Sequence, residues 1–200
     1  MKTFFRDEDY EEYLALMAQW CEKCGVEIWA YCLMPNHTHL VAVPESGDAL
    51  RRGIGEAHRR YSRMINFREG WKGHLWQGRF SSFPMDEQYL LAAARYVEMN
   101  PVRAQLAATP EEWPWSSTQA HLSGRDNALV RVKPLLDLVG DWRQFLGAKD
   151  STMEWDEIRR HERSGRPLGE DPFVERLEQE LDRRLKRLKP GPKSQNGNVE

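Results

Sequence analysis

Apolar residues recur along this chain with two rhythms, one of period near 3.6 and one extended. Between positions 7 and 24 the apolar positions are Tyr10, Tyr13, Leu14, Met17, Trp20, Cys21 and Cys24. Residues three and four apart share one face of a helix, so this spacing predicts a helix that Asp7 caps and Gly25 stops. The rhythm then changes. Residues 26–33 are rich in aromatic and β-branched side chains, and residues 37–43 form a second such run, closed by Pro44. Only Met34-Pro35-Asn36 separates the two, which predicts an antiparallel hairpin. Helical spacing returns at about 48–67, with Leu50, Ile54, Ala57, Tyr61 and Ile65 inward. The opposite face carries Arg51, Arg52, Arg59, Arg60 and Arg63.

Residues 69–85 are punctuated by Gly and Trp, and 79–83 is the stretch best suited to a further strand. Asp86 is placed to cap a helix to about Met99, which Pro101 ends because the residue before a proline is pushed out of the α region. Beyond Pro110 the pattern fragments. A Trp113-Pro114-Trp115 turn, a short helix near 117–122 and helices at 134–146, 153–163 and about 171–188 precede a basic tail. This order predicts an α+β fold with helices covering one face of an antiparallel sheet. The expected division is a first domain over 1–122, a helical C-terminal extension over 123–188 and a flexible tail over 189–200.

Composition narrows the class. Across 200 residues, 40% are hydrophobic and 30% charged, a balance that fits a globular protein better than a disordered one. No apolar run approaches the about 20 residues of a membrane span, and residues 1–9 lack the apolar core of a signal peptide. Three cysteines make no disulfide framework and point to a reducing, bacterial-type cytoplasm. The net charge of −2 hides a segregation. Residues 1–30 hold three bases against seven acids, residues 51–103 hold ten against five, and residues 176–193 hold seven against three. A basic middle and end predict a localised anionic partner.

The sharpest chemical feature is His37-Thr38-His39. Side chains at i and i+2 of a strand emerge on one face about 7 Å apart, near enough to share one metal ion. Tyr96 and Asn100 stand four apart on a later helix, beside a core stripe of Leu90, Ala93, Ala94 and Val97. Together these groups could attack a phosphodiester. The arginine face of the second helix suits phosphate contacts, which give affinity without sequence reading. Trp71, Trp76, Phe80 and Phe83, interleaved with Lys72, His74, Gln77 and Arg79, suit stacking on unpaired bases, although Phe80 and Phe83 read better as sealing the sheet edge. A zinc module built from Cys21, Cys24, His37 and His39 is the alternative. It is weakened because a zinc finger spaces its histidines three to five apart on a helix, and both cysteines fall on an apolar stripe.

Three blocks add a resemblance: Tyr31-Cys32-Leu33-Met34-Pro35-Asn36-His37-Thr38-His39-Leu40-Val41, Gly73-His74-Leu75-Trp76-Gln77-Gly78-Arg79-Phe80, and Arg95-Tyr96-Val97-Glu98-Met99-Asn100-Pro101-Val102-Arg103-Ala104. With Trp113-Pro114-Trp115-Ser116-Ser117 they resemble the REP-associated tyrosine transposases, within the single-tyrosine HUH (insertion-sequence-200-like) family, over roughly residues 4–122. The resemblance implies a ferredoxin-like sheet with helices on one face and a catalytic domain at 1–122. It also implies a single-stranded DNA endonuclease and strand-transferase working through a 5′-phosphotyrosine, on palindromic or hairpin repeat DNA. Tyr96 would be the nucleophile, and His37, His39 and Asn100 the ligands of Mg²⁺ or Mn²⁺. DNA contacts would come from Arg51, Arg52, Arg59, Arg60, Arg63, Trp76, Gln77, Arg79 and Arg103, in a monomer or homodimer with no membrane partner. Thr38 departs from the family's usual large apolar residue, but it points to the opposite sheet face. Only residues 1–6 precede the first predicted helix, so the first ferredoxin-like strand is expected to be missing, and either an upstream start or a poorly stable, catalytically weak chain is expected. A domesticated or inactive DNA-binding protein of the same fold is the remaining alternative.

Overall fold

The computed structural model describes residues 2–148 and 152–186; the expected tail at 189–200, and the end of the last predicted helix, lie outside the described residues. The first helix, α1 (Asp7–Cys24), buries Tyr10, Tyr13, Met17 and Cys21. Its cap is Arg6 rather than Asp7, because the Asp9 carboxylate reaches back to accept from the Phe5 and Arg6 N–H groups at 2.9 and 3.3 Å. Arg68 pairs with that same carboxylate. Gly25 ends the helix at φ 67°, a left-handed conformation that a Cβ would strain, and donates its N–H to Cys21 and Glu22.

Strands β1 (Val26–Met34) and β2 (His37–Pro44) then form the antiparallel hairpin, with Cys32 opposite His39 and Met34 opposite His37. A bulge between Ile28 and Ala30 leaves Trp29 unpaired. An extra residue inverts the alternation of side chains beyond it. Val26 and Ile28 therefore join one core with Tyr31 and Leu33, whereas Ala30, Cys32 and Met34 join the other.

The first core lies beneath α1 and α2 (Ala49–Glu69), whose buried Ile54, Ala57, Tyr61 and Ile65 fall at the expected positions. The opposite face is closed by α3 (Glu87–Glu98) and a helical C-terminal region. That region comprises α4 (Asn100–Arg103), α5 (Thr118–Ser123), α6 (Lys133–Leu136), α7 (Trp142–Gly147), α8 (Thr152–Ser164) and α9 (Asp171–Glu180). Asp86 caps α3 as expected, accepting the Tyr89 N–H at 3.3 Å. The outer edge of β1 is satisfied by loop backbone: Leu33 N–H donates to Trp115 O at 2.8 Å, and Arg131 N–H to Ile28 O at 2.8 Å. Among the described residues no strand pairs with the outer edge of β2. The architecture is an incomplete ferredoxin-like core with a helical extension.

Several expectations are corrected. Residues 79–83 form no strand, because Phe80 packs into the first core and Phe83 into the second, which pulls the segment across the molecule. The helix expected over 134–146 is two helices; Asp141 restarts it by accepting the Gln144 N–H at 3.0 Å. The last helix stops at Glu180, where Asp182 adopts φ 44° and the Glu178 carboxylate accepts the N–H groups of Leu185 and Lys186. The zinc alternative fails on geometry. Cys21 is buried in the α1 face of the sheet while His37 and His39 lie on the other, and all three cysteines are free. Among the described residues no helix is long and apolar enough to cross a membrane.

Candidate active site

The alternation of β2 puts residues 37, 39 and 41 on one face, and Val41 belongs to the second core, so both histidines face α3. Thr38 points the other way, where it meets the Tyr13 hydroxyl. The imidazoles stand nearly perpendicular with centroids 4.7 Å apart and their Nε2 atoms 3.0 Å apart. Asn36 Oδ1 lies 2.7 Å from His37 Nδ1, and Glu162 Oε1 lies 3.1 Å from His39 Nδ1. When both Nδ1 atoms carry the proton and donate to these oxygens, the two Nε2 lone pairs converge on one point. Two convergent lone pairs are an arrangement that a shared cation satisfies, so this pair fits a divalent metal. Desolvation, and after it the neighbouring His39 ring, push the His37 pKa down to about 4 against the pull of Glu162, so His37 is neutral near pH 7.

Tyr96 is only 4% exposed. Its hydroxyl donates to Glu162 Oε2 at 3.2 Å, and its ring meets His39 edge-on at 5.6 Å. Arg103 lies over the Tyr96 ring at 4.3 Å and over Trp155 at 4.4 Å, so the phenol is covered by α4 and α8. Burial alone would raise the Glu162 carboxyl, but the hydrogen bonds it accepts from His39 and Tyr96 oppose that, and its carboxyl is held below the usual range. Asn100 is 8% exposed with its Nδ2 unpaired, and it hydrogen-bonds to neither histidine. Among the described residues no group of three or more His, Cys, Asp and Glu is arranged to hold a metal, so a third ligand would have to be an amide or water.

A buried network braces the end of α3 between Tyr96 and Asn100. Glu98, fully buried, accepts from Ser117 Oγ at 2.5 Å and Trp142 Nε1 at 2.8 Å, and meets His121 Nδ1 at 2.7 Å. Sequence reasoning missed this network, and it missed Glu162 and Trp155. The one available signal for the latter was the amphipathic spacing of the helix near 153–163, which says that it packs but not against what.

The residues expected to contact DNA fall into three groups. Arg51 and Arg52 are exposed beside Asp48, and Gln77 and Arg79 are exposed on the loop after α2. Arg59 makes two bonds to Glu56, at 2.7 and 2.6 Å, Arg60 makes one at 2.9 Å, and Arg63 has no acidic partner among the described residues. Trp76 is half-buried: its ring stacks on His58 at 4.3 Å and packs against the first core. Arg103 is likewise committed to Tyr96 and Trp155.

Comparison with known proteins adds a sequence relationship. A family described as "Transposase IS200 like" matches residues 1–100, which include both histidines, Tyr96 and Asn100. A Haemophilus influenzae protein, provisionally named a REP-associated tyrosine transposase, is 27% identical over 121 residues, covering 54% of this chain and 69% of that one. No solved structure matches the chain.

Proposed function

The chain belongs to the IS200-like transposase family, and on that premise we propose that it is a metal-dependent, single-stranded DNA nicking and joining enzyme acting on hairpin or palindromic DNA. The observation that carries this reading is the meeting of His37, His39 and Tyr96 on one face of the hairpin, with the tyrosine ring 5.6 Å from that of His39. In the proposed reaction Tyr96 Oη attacks phosphorus and loses its proton. The P–O3′ bond breaks, leaving a 5′-phosphotyrosine and a 3′-hydroxyl that takes up a proton. The covalent link conserves the phosphodiester, so a second 3′-hydroxyl can reverse the step and rejoin DNA. A free phenol, with a pKa of about 10, is a weak nucleophile at neutral pH. His37 and His39 would hold Mg²⁺ or Mn²⁺, with Asn100 as a further ligand, and the ion would polarise the scissile phosphate. Asn36 and Glu162 orient the two rings for that purpose.

As folded here, Tyr96 is shut off by Trp155, Arg103 and Glu162, so attack requires α8 to withdraw. That cover also supports a second reading, a DNA-binding protein of the same fold without turnover. The test is adduct formation on single-stranded hairpin DNA with Mn²⁺. Wild type should give a denaturant-resistant protein–DNA adduct that EDTA, His37→Ala and His39→Ala each suppress. Binding without any adduct would favour the second reading, and full activity in EDTA would remove the metal from the mechanism.

A further inference from the structure

Among the described residues the exposed large aromatic side chains are Phe5, Phe67 and Trp71, and the last two lie at and just beyond the C-terminal end of α2. Phe5 and Trp71 meet edge-on at 5.4 Å, while Phe67, 90% exposed, lies in the last turn of α2, four residues before Trp71, which follows the Gly70 cap. Such a phenylalanine contributes almost nothing to the core. Its place along α2 is informative. Arg52, Glu56, Arg59, Arg60, Arg63 and Phe67 follow one another at steps of three, four or one, so they form a single stripe, about 22 Å long at a rise of about 1.5 Å per residue. The stripe is cationic, and Phe67 closes it. Arg63, one turn before Phe67, and Lys72, beside Trp71, are exposed and have no acidic partner among the described residues. Glu69 is held by Arg68, and Glu8 by Arg6. The first turn of α1 carries Asp7, Glu8 and Asp9, and Asp9 is paired with Arg68.

We propose that Phe67 and Trp71 form a base-stacking site for single-stranded DNA, at the end of a phosphate track made by Arg52, Arg59, Arg60 and Arg63. This rests on the DNA-processing reading above and extends it. Helix α2 packs on the sheet face opposite Tyr96. The bases held there belong to an unpaired segment flanking the hairpin, not to the strand being cut. An aromatic face accepts any base, so the site contributes affinity and placement without sequence selection.

The test is fluorescence anisotropy with two hairpin probes, one carrying a single-stranded flank and one blunt, using the full chain. Phe67→Ala should weaken the flanked probe by about fivefold or more, the effect of losing one base–aromatic stack, and leave the blunt probe unchanged. Phe67→Tyr should bind both probes like wild type, and Phe67→Ala should keep the wild-type melting temperature because the side chain is exposed. Trp71→Phe supplies the second ring at conserved shape and should also retain binding. Unchanged affinity of Phe67→Ala for the flanked probe would overturn the proposal, as would an equal loss on both probes. A Phe67→Ala variant that changes sedimentation but not DNA affinity would also overturn it, because the patch would then join two copies of the chain. If wild type holds neither probe, the DNA reading itself fails; if wild type holds both and Phe67→Ala does too, only the stacking site fails.

Discussion

The two faces of the hairpin are built by different means. Beneath α1 and α2 the core is a cluster of rings, with Phe4 stacked on Tyr10 at 4.3 Å and edge-on to Tyr13 at 5.3 Å. Two of its tyrosine hydroxyls are settled in pairs: Tyr13 Oη with His58 Nε2 at 2.7 Å, and Tyr61 Oη donating to Thr3 O at 2.9 Å. On the α3 face a core of mixed aliphatic and aromatic side chains is interrupted by two polar networks, Glu98–Ser117–His121–Trp142 and His39–Glu162–Tyr96. Burying polar groups is costly unless each finds a partner. The first face can therefore be specified by pattern. The second requires partners brought from distant parts of the chain, and that is where candidate chemistry collects.

Breaking this contrast begins with Glu98. Glu98→Ala leaves His121, Ser117 and Trp142 without their shared acceptor, and should cost about 3–5 kcal/mol in denaturant unfolding. Met17→Leu, in the other core, conserves volume and should cost less than about 1.5 kcal/mol. Equal costs would erase the distinction between the faces.

A smaller effect should come from pH. Burial depresses the His58 pKa to about 4, below the about 6.5 of an unfolded chain. The unfolded state then binds more protons, so stability that is full above pH 6.5 declines as pH falls toward 4. At about 1.4 kcal/mol per pH unit, the loss reaches about 2 kcal/mol at pH 5. His58→Leu should flatten this slope in thermal melts at pH 7 and pH 5; an unchanged slope would mean that His58 is not held neutral. The smallest change is Tyr61→Phe, which removes one bond to Thr3 O and should cost about 1 kcal/mol. A cost as large as that of Glu98→Ala would show that the ring cluster also depends on its polar atoms.

Much of the scaffold was legible in the sequence. The periodicity of α1, α2 and α3 and the tight connection of the hairpin identify those elements, because each buries a continuous stripe or run. The Trp29 bulge was not legible, since nothing local distinguishes it from paired strand, yet it decides which residues of β1 face α3. Residues 79–83 are the stretch of a Gly- and Trp-punctuated segment best suited to a strand, yet Phe80 and Phe83 pack into different cores. In the candidate site, His37, His39 and Tyr96 stand out by local spacing. Glu162 and Trp155 could not, because their meaning depends on α8 crossing a tyrosine about sixty residues earlier in the chain. The stacking of Trp76 on His58 was not legible either, because composition suggests a stacking ring without naming its partner.

The central claim is that Tyr96 is the nucleophile of this site, and peptide mapping of the covalent adduct tests it most directly. Wild-type protein incubated with single-stranded hairpin DNA and Mn²⁺, then digested and analysed by mass spectrometry, should carry a nucleotide on Tyr96, and Tyr96→Phe should form no adduct while still binding the hairpin. A nucleotide on Tyr89, whose hydroxyl donates to Glu157 at 2.9 Å, or an undiminished adduct in Tyr96→Phe, would contradict the account.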